Sequence, residues 1–122
     1  MAHAQLKVTR LKRIEAIIRP EKVQVVKAAL IEMGHAGLTI YDVQGHGTQK
    51  GISQHWRGQE YSVDLLPKVA VVVVAHDHEV QDIVDVITRI ARTDRIGDGK
   101  IFVTPVEQVV RVRTGETGGD AL

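Results

Sequence analysis

At 122 residues the chain is about one domain long, enough for a single two-layer core and too short for a second. Its formal net charge of +1 at pH 7 gives no general attraction to nucleic acid or an anionic membrane, so any anion site must be local. Absence of cysteine excludes disulfides and thiolate metal sites; with no signal-like start and no apolar run long enough to span a bilayer, a cytoplasmic protein is expected.

Aromatics make up only 3% of the residues, so the core must be built from Val, Ile, Leu and Ala, which favours β-branched strands on aliphatic helices. Met1 to Arg10 (MAHAQLKVTR) is polar and basic and is expected to lie outside the fold. In KRIEAIIR, Lys12 to Arg19, residues Ile14, Ala16 and Ile18 alternate with Arg13, Glu15 and Ile17, the period of a half-buried strand. Pro20-Glu21 suits a helix start; Val23, Val26, Ala29 or Leu30, and Met33 then recur at helical spacing until Gly34. A second strand is expected over Leu38 to Val43. Gly45 to Lys68 follows, glycine-rich and polar, without strand or helix periodicity over most of its length. It reads as a long loop, and loops beyond about 12–15 residues in a compact domain are usually functional or disordered.

After the loop, VAVVVVA, Val69 to Ala75, fits a central strand buried on both faces. His76-Asp77-His78 is a polar turn. Glu79 to Arg92 repeats helical spacing through Val80, Ile83, Val84, Ile87, Ile90 and Ala91, with Arg89 and Arg92 near its end where they suit the helix dipole. Asp94 to Gly99 is a glycine-containing turn, Lys100 to Thr104 a strand, and Val109 to Val112 a short last strand before a glycine-rich, acidic tail. The order contains two strand-helix-strand units. It predicts an α+β, ferredoxin-like double βαβ: a four-stranded antiparallel sheet with both helices on one face and the long loop between the halves. Because the strands carry apolar residues on both sides, the open face is expected to be buried against copies of the same chain.

Chemistry concentrates in a few places. Gly97 and Gly99 would let backbone N–H groups of Asp94 to Lys100 turn toward a ligand, and Lys100 adds positive charge, which suits phosphate; a tight turn that needs glycine explains the same residues. Arg111 and Arg113 would share a face if extended and grip a polyphosphate, or keep an edge strand soluble. His76 and His78 are explained by a polar turn, and no matching partner supports a metal site. Tyr61, between Glu60 and Ser62 in the long loop, reads as a docking ring or as a modification or partner-contact residue. No catalytic constellation is legible.

Three motifs together resemble the PII nitrogen-regulatory signal-transduction proteins: GHGTQKG with RGQEYSVDLLPK like the T-loop, TDRIGDGKIFVTPV like the B-loop and its strand, and RVRTGE like the C-terminal loop. The resemblance covers residues 11–116, with T-loop 45–68, B-loop 93–100 and C-loop 111–116; residues 1–10 form an extension and 117–122 a flexible tail. It implies a homotrimer that binds ATP or ADP in the cleft between subunits. Gly97, Asp98, Gly99 and Lys100 from one side and Arg111 and Arg113 from the other would hold phosphates, Gly47, Thr48 and Gln49 would join them, and Thr39 and Val74 would border the adenine. With Mg-ATP, 2-oxoglutarate would bind at the loop base through Gln49, Lys50, Gly51 and Lys68, Gln49 also coordinating Mg²⁺. Hard cations want oxygen ligands and carboxylates a fixed cation, so these assignments are chemically coherent.

The mechanism implied is a shift in T-loop conformation read by partners: an ammonium transporter, a nucleotidyltransferase, a histidine kinase or a biosynthetic enzyme. Tyr61 matches the tyrosine that some members have uridylylated or adenylylated. Thr48 stands where many relatives carry arginine, Val72 where many carry glutamate, and Gln59 where some carry a phosphorylated serine, so serine phosphorylation is not expected. The competing reading is a small ferredoxin-like enzyme that hydrolyses a phosphate. An RNA-binding sheet is disfavoured by one Phe, one Trp and two Tyr, too few stacking rings.

Overall fold

The computed structural model describes residues 10–46, 53–56, 59–62 and 65–122. Six strands and two α-helices follow in the order β1 (Leu11–Ile18), α1 (Val23–Glu32), β2 (Thr39–Gly45), β3 (Ser53–Trp56), β4 (Gln59–Ser62), β5 (Leu66–His76), α2 (Val80–Ala91) and β6 (Lys100–Val106). Four of the strands form an antiparallel sheet in the order β2-β5-β1-β6. The β-branched run therefore occupies an inner strand, and the two units β1-α1-β2 and β5-α2-β6 interleave as the double βαβ pattern predicts.

Register decides which residues form the core. Ile14 pairs with Val73 and Ala16 with Val71, and directly opposed residues share a face. Ile14, Ala16, Ile18, Val69, Val71, Val73 and Ala75 meet Val23, Val26 and Leu30 of α1 and Ile83, Ile87 and Ala91 of α2 in one buried cluster. Ile14, Leu30, Ile83 and Ile87 are among its largest fully buried side chains, each worth about 1.5–3 kcal/mol relative to exposure. Helix α1 is entered through a 3-10 turn at Pro20–Lys22. It ends where Gly34 adopts φ +94°: the Gly34 N–H donates to the Ile31 carbonyl and the His35 N–H to the Leu30 carbonyl, both at 2.9 Å, a Schellman closure.

The opposite face holds Arg13, Glu15, Ala70, Val72 and, toward the edges, Tyr41 and Phe102. Tyr41 is 41% and Phe102 50% exposed, so a single chain leaves two aromatic rings half covered on this side.

The structure corrects several sequence-based boundaries. The loop expected over residues 45–68 is shorter: Gly45 closes β2, and Leu66, Pro67 and Lys68 already belong to β5, paired with Gly45, Gln44 and Val43. Backbone pairing does not require the apolar alternation used to find strands, and β5 has no β1 neighbour beyond Val69, an edge position where proline is tolerated. Within the loop, β3 and β4 pair as a hairpin, Gln54 opposite Tyr61 and His55 opposite Glu60. No strand forms at 109–112. A single bridge joins Val110 to Thr117, and the chain reverses between them, the Gly115 N–H donating to the Arg111 carbonyl and the Arg111 N–H to the Glu116 carbonyl. Residues 117–122, read as a flexible tail, contain a 3-10 turn at Gly118–Ala121. No helix of the described residues is long and apolar enough to cross a membrane.

Candidate functional site

The sequence-predicted residues that the structure describes gather at two ends of the sheet. At the lower end lie the close of β1 and β2, the start of β5 and the loop 93–99 that leads into β6. Asp98 organises that loop. Its carboxylate accepts hydrogen bonds from the Thr93 N–H at 2.7 Å and the Asp94 N–H at 3.0 Å, from the Thr93 hydroxyl, and from Arg19 Nε at 2.9 Å. These bonds, those from Thr93 foremost, hold its pKa far below the ordinary carboxylate value. A carboxylate so committed and ionised repels phosphate. Asp98 thus shapes the loop through the loop's own backbone and Arg19.

Arg19 leaves the end of β1, and its Nη2 also donates to the Ile96 carbonyl at 2.8 Å. Lys68 is only 8% exposed, and a buried ammonium needs a partner; its Nζ donates to the Gly97 carbonyl. Burial, and then the charge of Arg19, lower the Lys68 pKa, against smaller pulls from Glu21 and Asp98. Gly99 has φ +101°, and a Cβ placed there would lie 1.7 Å from the Ile17 carbonyl oxygen. Only glycine brings this loop so close to β1. Lys100 opens β6 opposite Ile17 and is exposed. The lower end therefore joins Arg19, Lys68 and Lys100 to a loop pinned by one internal carboxylate, an arrangement that favours an anion.

At the upper end, Thr39 and Val74 line a cavity of about 450 Å³ that also includes Gly37, His76 and Leu122. His35 Nε2 lies 3.4 Å from Glu79 Oε2 in its wall, and Glu79 Oε1 accepts from the His76 N–H at 3.0 Å. Arg111 Nη1 donates to Glu116 Oε1 at 3.3 Å and Nη2 to the Leu122 carbonyl oxygen at 2.5 Å. Arg113 is exposed in the turn, so the two arginines do not project from one extended strand.

Lys68 and Val74 are six residues apart on β5, roughly 20 Å along the strand, and Thr39 and Lys100 lie on opposite edge strands, about 14 Å across the sheet. Within one protomer the two ends do not converge. Gly47, Thr48, Gln49, Lys50 and Gly51 lie outside the described residues, and Tyr61 is placed on β4 opposite Gln54. Among the described residues there is no cluster of three or more His, Cys, Asp or Glu able to hold a metal. Sequence reasoning missed Arg19 and Thr93. The available signals were a solitary cation between a β-branched strand and Pro20, and a threonine five residues before an aspartate in a turn.

Comparison with known proteins adds a family. Residues 11–116 match the model of the nitrogen regulatory protein P-II family. The chain is 55% identical over 112 residues to a nitrogen regulatory protein P-II of Azospirillum brasilense and 51% identical over 112 residues to one of Microchaete diplosiphon, in each case over 92% of this chain and 100% of the relative. It is also similar to the crystal structure of Arabidopsis thaliana PII bound to citrate, with TM-score 0.76 and 38% identity over 93% of this chain and 94% of that one. The chain belongs to the nitrogen regulatory protein P-II family.

Proposed function

We propose that this protein is a non-catalytic, homotrimeric sensor that binds ATP or ADP between subunits, binds 2-oxoglutarate when Mg-ATP is present, and regulates a nitrogen-metabolism protein through its long loop. The observation that carries this reading is the division of basic groups between two ends of one sheet. Lys100 and the loop around Gly97 and Gly99 stand at one end, and Arg111 with the Thr39–Val74 cavity at the other. A neighbouring subunit that brings its lower end against this upper end completes a site for base and phosphates. Cover for Tyr41 and Phe102 on the open face supports the same assembly.

Lys68 then serves the keto acid. Its ammonium is held next to Gly97 at the base of the long loop, where a ligand carboxylate competes for it as a stronger acceptor than a neutral carbonyl. Citrate, bound by the similar Arabidopsis thaliana PII, is likewise a polycarboxylate. Mg²⁺ would be held by ligand oxygens with help from the Gln49 amide, the oxygen donors a hard cation prefers. The ion neutralises phosphate charge when bound, and Gly47, Thr48, Lys50 and Gly51 are assigned beside it. The Asp98 carboxylate is engaged by Arg19, Thr93 and the Asp94 N–H, which leaves it poorly placed to activate water and supports binding over hydrolysis. Partners of the loop are an ammonium transporter, a nucleotidyltransferase, a histidine kinase or a biosynthetic enzyme, with Tyr61 near the contact surface as the modification residue.

Calorimetric titration of 2-oxoglutarate with and without Mg-ATP tests the reading. The keto acid is expected to bind only when the nucleotide is present; equal binding in its absence, or none in its presence, refutes the coupled sites.

A further inference from the structure

The end of the described chain borders the upper cavity. The Gly118 N–H donates to the Val109 carbonyl at 3.1 Å, and the Leu122 N–H to the Gly119 carbonyl at 3.3 Å. Ala121 and Leu122 line the same cavity as Thr39 and Val74. A Cβ built on Gly119 would stand 3.1 Å from Cε1 of His76, so the turn is seated against the cavity wall. Arg111, in turn, is engaged by Glu116 and by the Leu122 carbonyl oxygen. Residues 116–122 thus occupy both the guanidinium and the wall that the nucleotide reading assigns to a ligand.

We propose that residues 117–122 are a strap that competes with the nucleotide: it seats at the base end of the cleft, holds Arg111, and moves aside when base and phosphates take those places. The inference rests on the nucleotide reading and adds an internal competitor to it. A polyphosphate offers Arg111 more charge and more acceptor oxygens than the single contacts it makes with Glu116 and the Leu122 oxygen, so the ligand displaces them. The strap is held by single hydrogen bonds and two small contacts, and Leu122 remains 44% exposed, the profile of a segment that opens locally at low cost. Apparent affinity falls by the fraction of chains in which the strap is open.

Hydrogen exchange of the full chain tests this directly: saturating ATP should remove protection at the amide of Gly118, which bonds outside the strap. A chain ending at Glu116 should bind ATP about five- to tenfold more tightly by calorimetry, as expected if the open form is populated at about a tenth to a fifth. Gly119→Val, which crowds His76, should shift affinity in the same direction by less. Unchanged or greater amide protection with ATP, or equal or weaker binding by the shortened chain and by Gly119→Val, overturns the strap while leaving the nucleotide site standing. No ATP binding by any of the three chains overturns the nucleotide reading and the strap together.

Discussion

At the lower end of the sheet, Arg19 and Lys68 are tied to backbone carbonyls of the 93–99 loop and to Asp98; at the upper end, Arg113 is exposed and Arg111 is held by the chain's own last residues. Both ends are basic, but they differ in what must change before an anion can bind. The lower loop already has its glycines in place and its cations ordered, so little conformational freedom is lost on binding. The upper end must exchange one set of Arg111 partners for another. Rigidity at one end and exchange at the other suit a sensor, in which ligand occupancy has to alter part of the surface and leave the remainder fixed.

The rigidity of the lower end depends most on Gly99. Replacing it with Ala places a methyl against the Ile17 carbonyl at a backbone conformation that side chains rarely adopt, so Gly99→Ala should lose about 2–4 kcal/mol of stability in urea denaturation. Wild-type stability would remove the rigid loop from the account. A smaller effect is expected from the cations. Lys100→Ala should weaken ATP binding about tenfold, the size of one lost charge-assisted contact, with its thermal midpoint unchanged because the side chain is exposed. Arg111→Ala should weaken binding less than Lys100→Ala, since it also removes the anchor of the strap; calorimetry on the two variants ranks them.

The smallest effect is a pH dependence. The native pKa of Asp98 is depressed, so its bonds stabilise the fold above the unfolded carboxylate value of about 3.9 and are lost as pH falls toward the native value. The stability difference between wild type and Asp98→Asn should therefore be constant from about pH 5 to 7 and shrink below about pH 4, as measured by urea denaturation at each pH. A difference that grows on acidification would contradict the depressed pKa.

Much of the fold was legible because burial leaves a period in the sequence. Ile14, Ala16 and Ile18 alternate, Ile83 and Ile87 recur at helical spacing, and these same side chains are buried in the core. Strand ends were less visible. Gln44-Gly45 and Leu66-Pro67 pair through backbone groups, which impose no apolar pattern. The hairpin of β3 and β4 was hidden for the same reason, since a two-stranded ribbon outside the core need not alternate. In the candidate site, Gly97, Gly99 and Lys100 stand out in the sequence as a glycine turn followed by a cation, and both glycines adopt positive φ in the loop before β6. Arg19 could not be placed beside that loop, because its contact joins residues 77 positions apart; Lys68, 29 positions from Gly97, is placed at the loop base by the family resemblance and not by spacing. Nor could the engagement of Arg111 be foreseen, as it depends on a reversal of the chain at Gly115.

Whether one nucleotide is gripped by opposite ends of neighbouring protomers is decided by mixing two defective chains. Lys100→Ala impairs the lower half-site and the double variant Arg111→Ala, Arg113→Ala the upper one; each alone should bind ATP weakly. Co-refolded together, they form mixed trimers in which one interface pairs an intact lower end with an intact upper end. One site per mixed trimer with wild-type affinity for ATP is expected by calorimetry. Mixed trimers that bind no better than either parent would show that both half-sites act within a single chain and would contradict the shared site.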